Sequence, residues 1–160
     1  LIEEVGTDVV RYFFIMRGMN THLNFDMTLA KDESDENPVY YLQYAHARLC
    51  NILKHAESQG YKLDKNTDMT PLILDSEINL IKSILEFPNI IEKASKNLEP
   101  QTIANFLQNI SGMFHKYYAK ERVVTEDSDK TAARLILVKA LQIVLSNGLS
   151  VLGIHAPERM

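Results

Sequence analysis

Tyr40, Tyr44 and Arg48 recur every four residues within the stretch NPVYYLQYAHARLCNIL, which runs from Asn37 to Leu53. At about 100° per residue a helix sets these positions, with His55 further along, on one side. Two phenol rings and a guanidinium make a flat π surface beside a planar cation, the kind of surface on which unpaired nucleobases stack. The other side carries Val39, Leu42, Ala45, Leu49, Ile52 and Leu53, an apolar stripe that belongs in a core. Asn37 and Pro38 supply the start, since Asn caps free amides and proline fits a first turn where its missing N–H would go unpaired. The same spacing has an alternative reading as packing. Tyrosines on a helix more often rest against a neighbouring element than hold a ligand, and Arg48 is then a surface charge or a carboxylate's partner.

Other groups with chemical potential do not assemble into a reacting set. Asp32, Glu33, Asp35 and Glu36 crowd around Lys31, but they lack the spacing and the turn glycine of a calcium loop, so a short solvated helix is expected over Thr28–Asn37. There is no glycine-rich phosphate loop, no paired-cysteine metal spacing and no HExxH. The five histidines are scattered, although His46 and His115 could meet in space. Cys50 stands alone, with nothing to mark it as an activated nucleophile. No catalytic residue, metal ligand or cofactor is therefore assigned to this chain. Asp8 and Arg11, three apart, are expected to pair along the first helix, an exposed bridge worth well under ~1 kcal/mol. His115, Lys116, Lys120 and Arg122, with Tyr118 among them, form the one basic neighbourhood.

These residues need long helices to carry them. Composition agrees: 160 residues, 46% hydrophobic and 24% charged, with only six Gly and five Pro. A first helix is predicted over Ile2–Arg17, stopped by Gly18, followed by an extended connector over Thr21–Met27. After the Asn37 helix and a polar loop over 60–70, Asp75 or Ser76 is expected to cap a helix with Ile78, Ile81, Ile84 and Leu85 inward. Phe87-Pro88 is expected to break it, leaving a short helix to Asn97. Pro100 opens the next, with Ile103, Phe106, Leu107, Ile110, Met113, Phe114 and Tyr117 buried. Ser128 or Asp129 starts the last, whose inner face is Leu135, Val138, Leu141, Leu145, Leu149 and Leu152, with Gly153 as its stop. The predicted fold is one all-α helical bundle.

Charge and cysteine usage narrow the partners. A net charge of −4 removes bulk positive potential, so no DNA partner is expected and any RNA must be held locally. One cysteine excludes an internal disulfide framework and fits a reducing, cytoplasmic setting. The apolar runs are interrupted by Arg11 and by Lys139, Gln142 and Asn147, so neither a membrane span nor a signal peptide is expected. The chain opens in mid-helix pattern at Leu1, as a piece of something longer would.

Three stretches resemble bacterial arginyl-tRNA synthetases. NPVYYLQYAHARLCNIL is similar to one helix of that family. Gly6-Thr7-Asp8-Val9-Val10-Arg11-Tyr12-Phe13-Phe14 resembles its Asp-Ala-Leu-Arg motif, with Val9 and Val10 in place of Ala and Leu. Leu152-Gly153 through Glu158-Arg159-Met160 is similar to the family's ending. The resemblance spans essentially all 160 residues and implies the C-terminal anticodon-binding domain of a class I ligase that joins arginine to its tRNA.

On that resemblance, ATP and Mg serve a catalytic domain N-terminal to Leu1, and this domain alone is inactive. Residues 1–36 are the helix and connector that join to it, with Asp8 and Arg11 at the junction. Tyr44, Arg48, Tyr118 and Met160, with Tyr40, are expected to face the anticodon loop of arginine tRNA, and Glu36 and Asn37 to shape the loop beside them. Lys116, Lys120 and Arg122 are expected on the RNA backbone. The alternative is a helical protein–protein interaction or scaffold domain with no RNA role, in which the tyrosines are interface anchors.

Overall fold

The computed structural model describes residues 1–17 and 25–160. The expected stop at Gly18 and most of the expected connector Thr21–Met27 lie outside the described residues. Among those described, the chain forms an all-α bundle without strands, as the periodicity predicts. Its helices are α1 (Ile2–Val5), α2 (Thr7–Ile15), α3 (Met27–Lys31), α4 (Pro38–Ser58), α5 (Asp75–Asn97), α6 (Gln101–Tyr118) and α7 (Ser128–Val151).

α4 forms as its residues dictate. Asn37 Oδ1 accepts from the amides of Val39 (3.1 Å) and Tyr40 (3.5 Å), and Pro38 takes the first position. Val39, Leu42, Ala45, Leu49 and Ile52 are buried against α6 and α7. α7 is the core helix: all six predicted inward residues are buried, and so are Ala133, Leu137 and Val144. It is long and apolar enough in composition to cross a membrane, but here α4, α5 and α6 cover it. Asp127, one residue earlier than expected, caps it by accepting from Asp129 and Lys130 amides at 3.0 Å each. α6 buries Ile103, Leu107, Ile110, Phe114 and Tyr117 as predicted, with Phe106 and Met113 partly covered.

Several expectations need correction. The first helix is two, because Gly6 at φ +83° leaves the right-handed region and separates α1 from α2. The acids Asp32, Glu33, Asp35 and Glu36 lie in a loop after the five-residue α3. Asn37 precedes a proline and is forced extended, and its Nδ2 donates to Asp32 O (2.8 Å), closing that loop. Pro88 does not break α5, which continues to Asn97. The ring removes one intrahelical bond, and packing along α6 holds both halves in line.

The inner face of α5 also differs. Leu85 is 71% exposed, and the buried positions are Glu77, Leu80 and Ala94. Neither Asp75 nor Ser76 caps this helix; Glu77 Oε2 accepts the amide of Leu74 instead (3.1 Å). The same carboxylate accepts from Arg134 Nε of α7 at 2.8 Å and from the Tyr117 hydroxyl at 3.3 Å. Arg134 further donates to Glu121 (2.9 Å) and to Arg122 O (2.6 Å). Glu77 and Arg134 are essentially unexposed, so this is a fully desolvated ion pair joining α5, α6 and α7.

Candidate nucleic-acid interface

The apolar stripe turns the other side of α4 outward beside α6. Tyr40, Tyr44 and Arg48 are half-buried there. The rings of Tyr40 and Tyr44 are nearly parallel, 6° apart in plane and 6.4 Å between centroids. Arg48 Nη1 donates to the Tyr44 hydroxyl (3.2 Å), and its Cζ lies 4.8 Å from the Tyr118 ring and 5.7 Å from that of Tyr44. The guanidinium is thus held by one ring from each helix.

α6 roots the arrangement. Buried Phe114 stacks on Tyr118, with ring centroids 5.7 Å apart, and touches His115 at 5.4 Å. His115 in turn lies 5.0 Å from Tyr41 and 5.9 Å from Tyr44. His55, expected alongside, is exposed and bonds to Gln59 (3.1 Å). Because the rings brace one another, little side-chain freedom remains to be lost on binding.

A cleft of about 410 Å³ opens at this cluster, lined by Asp35, Tyr41, Tyr44, Arg48, His115 and Ala119. Its charges are mixed. Burial, then the nearby Arg48, hold the His115 pKa below the ordinary histidine value, against an opposing pull from Asp35. Burial and Asp35 push the Tyr41 hydroxyl up. The cleft therefore offers π faces, one fixed cation and a histidine that favours its neutral form. Nothing in it resembles a nucleophile with its base.

A second hollow, of about 520 Å³, lies at Tyr40 and is walled by Met160, Asn37, Gln43 and Val9. Met160 is half exposed, whereas Asn37 is buried, with its amide spent on the α4 cap and the preceding loop. Asn37 can act only by shaping that loop. Asp8 and Arg11 do not pair with each other. Asp8 Oδ2 accepts from Gln43 Nε2 (3.0 Å) and from the amide of His155 (3.1 Å), and Arg11 donates to Gly153 O. Both reach the C-terminal tail because the turn after α7 comes back over α2, where backbone groups offer better partners than an exposed neighbour.

Lys116 and Lys120 are exposed and line a separate hollow of about 240 Å³ against Ser76 and Asn79 of α5. Arg122 is exposed too, with its carbonyl held by Arg134. These cations flank the ring cluster without entering its cleft. His46 and His115 do not meet. His46 Nδ1 donates to Pro157 O (2.8 Å), and its Nε2 accepts from Gln142 (3.0 Å). Burial raises the Cys50 thiol pKa, which suits a packed residue more than a nucleophile. No three His, Cys, Asp or Glu converge on a metal position among the described residues.

Sequence reasoning missed His115, Tyr41 and Asp35 as parts of the cleft. His115 sits one turn before Tyr118 on the same helix, and that spacing was the available signal. Asp35 carried none, because only the loop's fold brings it in.

Residues 42–160 match the family model described as the DALR anticodon binding domain. The whole chain is 48% identical to a stretch of the arginine–tRNA ligase of Shouchella clausii and 47% identical to one in that of Geotalea daltonii. It spans 29% of the length of each. The arginyl-tRNA synthetase structure from Thermus thermophilus superposes on 98% of this chain with a TM-score of 0.83, at 27% identity and over 27% of its own length. Ring-lined helices, their cleft and these matches agree: the chain belongs to the DALR anticodon-binding domain family.

Proposed function

We propose that this domain binds the anticodon loop of arginine tRNA on the surface formed by Tyr40, Tyr44, Arg48 and Tyr118, as the recognition part of an arginine–tRNA ligase. One observation carries the reading: the Arg48 guanidinium is braced between rings of α4 and α6 at the edge of a cleft large enough for a nucleobase. Tyr44, which lines the cleft, meets an unstacked base, and Tyr118 holds Arg48 in place beside it. Arg48 adds a planar donor edge and a charge, and Met160 closes the neighbouring hollow. Lys116, Lys120 and Arg122 serve the flanking phosphates and so fix position without reading sequence.

The names of the relatives support the arginine–tRNA ligase reading. The complete enzyme joins arginine to its tRNA with ATP and Mg in a part of the protein preceding this domain, and works in the cytoplasm. α1 and α2 form the join to that part. A scaffold role without RNA fits neither the family nor the open cleft.

In a low-salt titration, arginine tRNA binds more tightly than an unrelated tRNA. Tyr44→Ala weakens that binding about 5- to 150-fold, the equivalent of ~1–3 kcal/mol for one lost stacking face, while the domain still folds cooperatively with a melting midpoint lowered by only a few degrees. Equal affinity for both tRNAs, or a collapse of the fold in Tyr44→Ala, overturns the proposal.

A further inference from the structure

The last residues of the chain follow an irregular path, yet they are held at almost every step. α7 ends at Val151, buried Leu152 and Ile154 anchor the turn, and Gly153 at φ +69° reverses direction. Arg11 then donates to the carbonyl of Gly153. The amide of His155 donates to Asp8 (3.1 Å), and its carbonyl accepts from Gln43 Nε2 (3.0 Å). Gln43 is itself fixed by the same Asp8 oxygen (3.0 Å).

Two residues on, the Pro157 carbonyl accepts from His46 Nδ1 (2.8 Å), whose ring is braced from behind by Gln142, whose own Oε1 accepts from Lys139 (2.9 Å). Lys54 bridges to Glu158 at 2.7 Å. Gly153, His155 and Pro157 are therefore gripped at alternate residues through backbone atoms, and Met160 emerges at Tyr40.

We infer that Asp8, Arg11, Gln43 and His46 form a receptor for the C-terminal tail and act as positioning residues that set Met160 beside Tyr40. The inference deepens the proposed anticodon reading and rests on it. Three facts favour a receptor over incidental packing. Its groups come from two helices and converge on one segment. Nearly every bond is to main chain, so the tail's course is fixed whatever its side chains. Asp8 and Arg11, suitably spaced to pair with each other, are both turned to the tail instead. The motif's acid and base thus influence RNA binding without touching RNA.

The test uses the full-length enzyme, arginine tRNA and four variants: Asp8→Ala, Arg11→Lys, deletion of Met160, and Asp8→Ala combined with that deletion. Deleting Met160 is expected to weaken tRNA binding about 5-fold or more, Asp8→Ala by a similar factor, and the combination by no more than either alone, since both remove one contact. Arg11→Lys, which can still donate to Gly153 O, stays near wild type.

Hydrogen–deuterium exchange gives the second readout: the His155 amide is protected in the wild type and exchanges freely in Asp8→Ala. This signal is independent of RNA. Multiplying losses in the combined variant, or unchanged His155 protection, overturn the receptor. If deleting Met160 leaves binding unchanged, Met160 has no part in the site and the functional half of the inference falls, while the exchange signal still judges the receptor. Should Asp8→Ala fail to fold, His46→Leu, which cannot donate to Pro157 O, replaces it with the same expectations, read at the residues around Pro157.

Discussion

Arg48→Lys keeps the charge at the centre of the ring cluster and removes its plane. In the wild type the guanidinium lies 4.8 Å from the Tyr118 ring and 5.7 Å from that of Tyr44, while Nη1 bonds to the Tyr44 hydroxyl. An ammonium cannot lie flat on one ring and bond across to another at once. Two half-buried cation–π contacts of about 0.5–1 kcal/mol each set the scale. Lysine retains part of that, so the free protein should lose about 1 kcal/mol, or ~2–4 °C in melting midpoint for a domain of this size. Loss of the planar edge and loosening of the ridge should cost binding about 1–2 kcal/mol, a factor of about 5 to 30.

Fluorescence anisotropy with labelled arginine tRNA at several salt concentrations measures both the factor and the slope. The slope of affinity against salt should match the wild type, because the number of neutralised phosphates is the same. Arg48→Ala should lose affinity and flatten the slope. If Arg48→Lys binds within about two-fold of wild type while Arg48→Ala does not, Arg48 is only a point charge and the stacking argument fails.

Other consequences can be read from the same coordinates. Glu77→Gln leaves the buried Arg134 with Glu121 as its remaining carboxylate partner and should lower unfolding free energy in urea by about 1–3 kcal/mol, whereas Glu77→Leu combined with Arg134→Met should recover most of it; a single-variant loss under about 0.5 kcal/mol would refute the burial argument. Leu98, the non-glycine residue at φ +57° ending α5, is 76% exposed, so Leu98→Gly should stabilise by about 0.5–1 kcal/mol in the same measurement; no gain would mean the backbone there is unstrained. For His115 the folded pKa lies below the unfolded one, so the unfolded chain binds the proton more readily. Stability contributed by the neutral ring is then full above the ordinary histidine value and falls as pH drops through it toward the folded value. Melting from pH 7 down to pH 5 should therefore show a smaller fall in His115→Gln than in wild type, and equal falls would contradict the assigned cause.

Much of this architecture was legible because amphipathic stripes record which face a helix buries. Those of α4 and α6 are periodic and α7 is apolar on nearly every side, so their predicted inner residues are largely buried. The errors share a physical origin, since each depends on a partner distant in sequence. Pro88 reads as a breaker until α6 lies along the helix that contains it. Ile78 and Leu85 read as inner positions until Glu77, held by Arg134 on a helix packed against it, takes the buried face of α5 instead. Asp8 and Arg11 look like mutual partners until the returning tail offers them backbone groups. The ring ridge could be anticipated from four-residue spacing on one helix, but His115, Tyr41 and Asp35 complete the cleft only once α6 and the loop after α3 are docked.

The placement of α7 has a consequence for how the molecule is made. The helix that fills the middle of the bundle is synthesised after all the helices it packs against, and α4 must wait for a partner some ninety residues downstream. Until then the stripes of α4, α5 and α6 have no complete surface to close on, so the bundle closes only after α7 has emerged, late relative to local helix formation. A nascent chain stalled before residue 128 would expose those stripes to chaperones and proteases, so the emergence of α7 is the checkpoint for the whole unit.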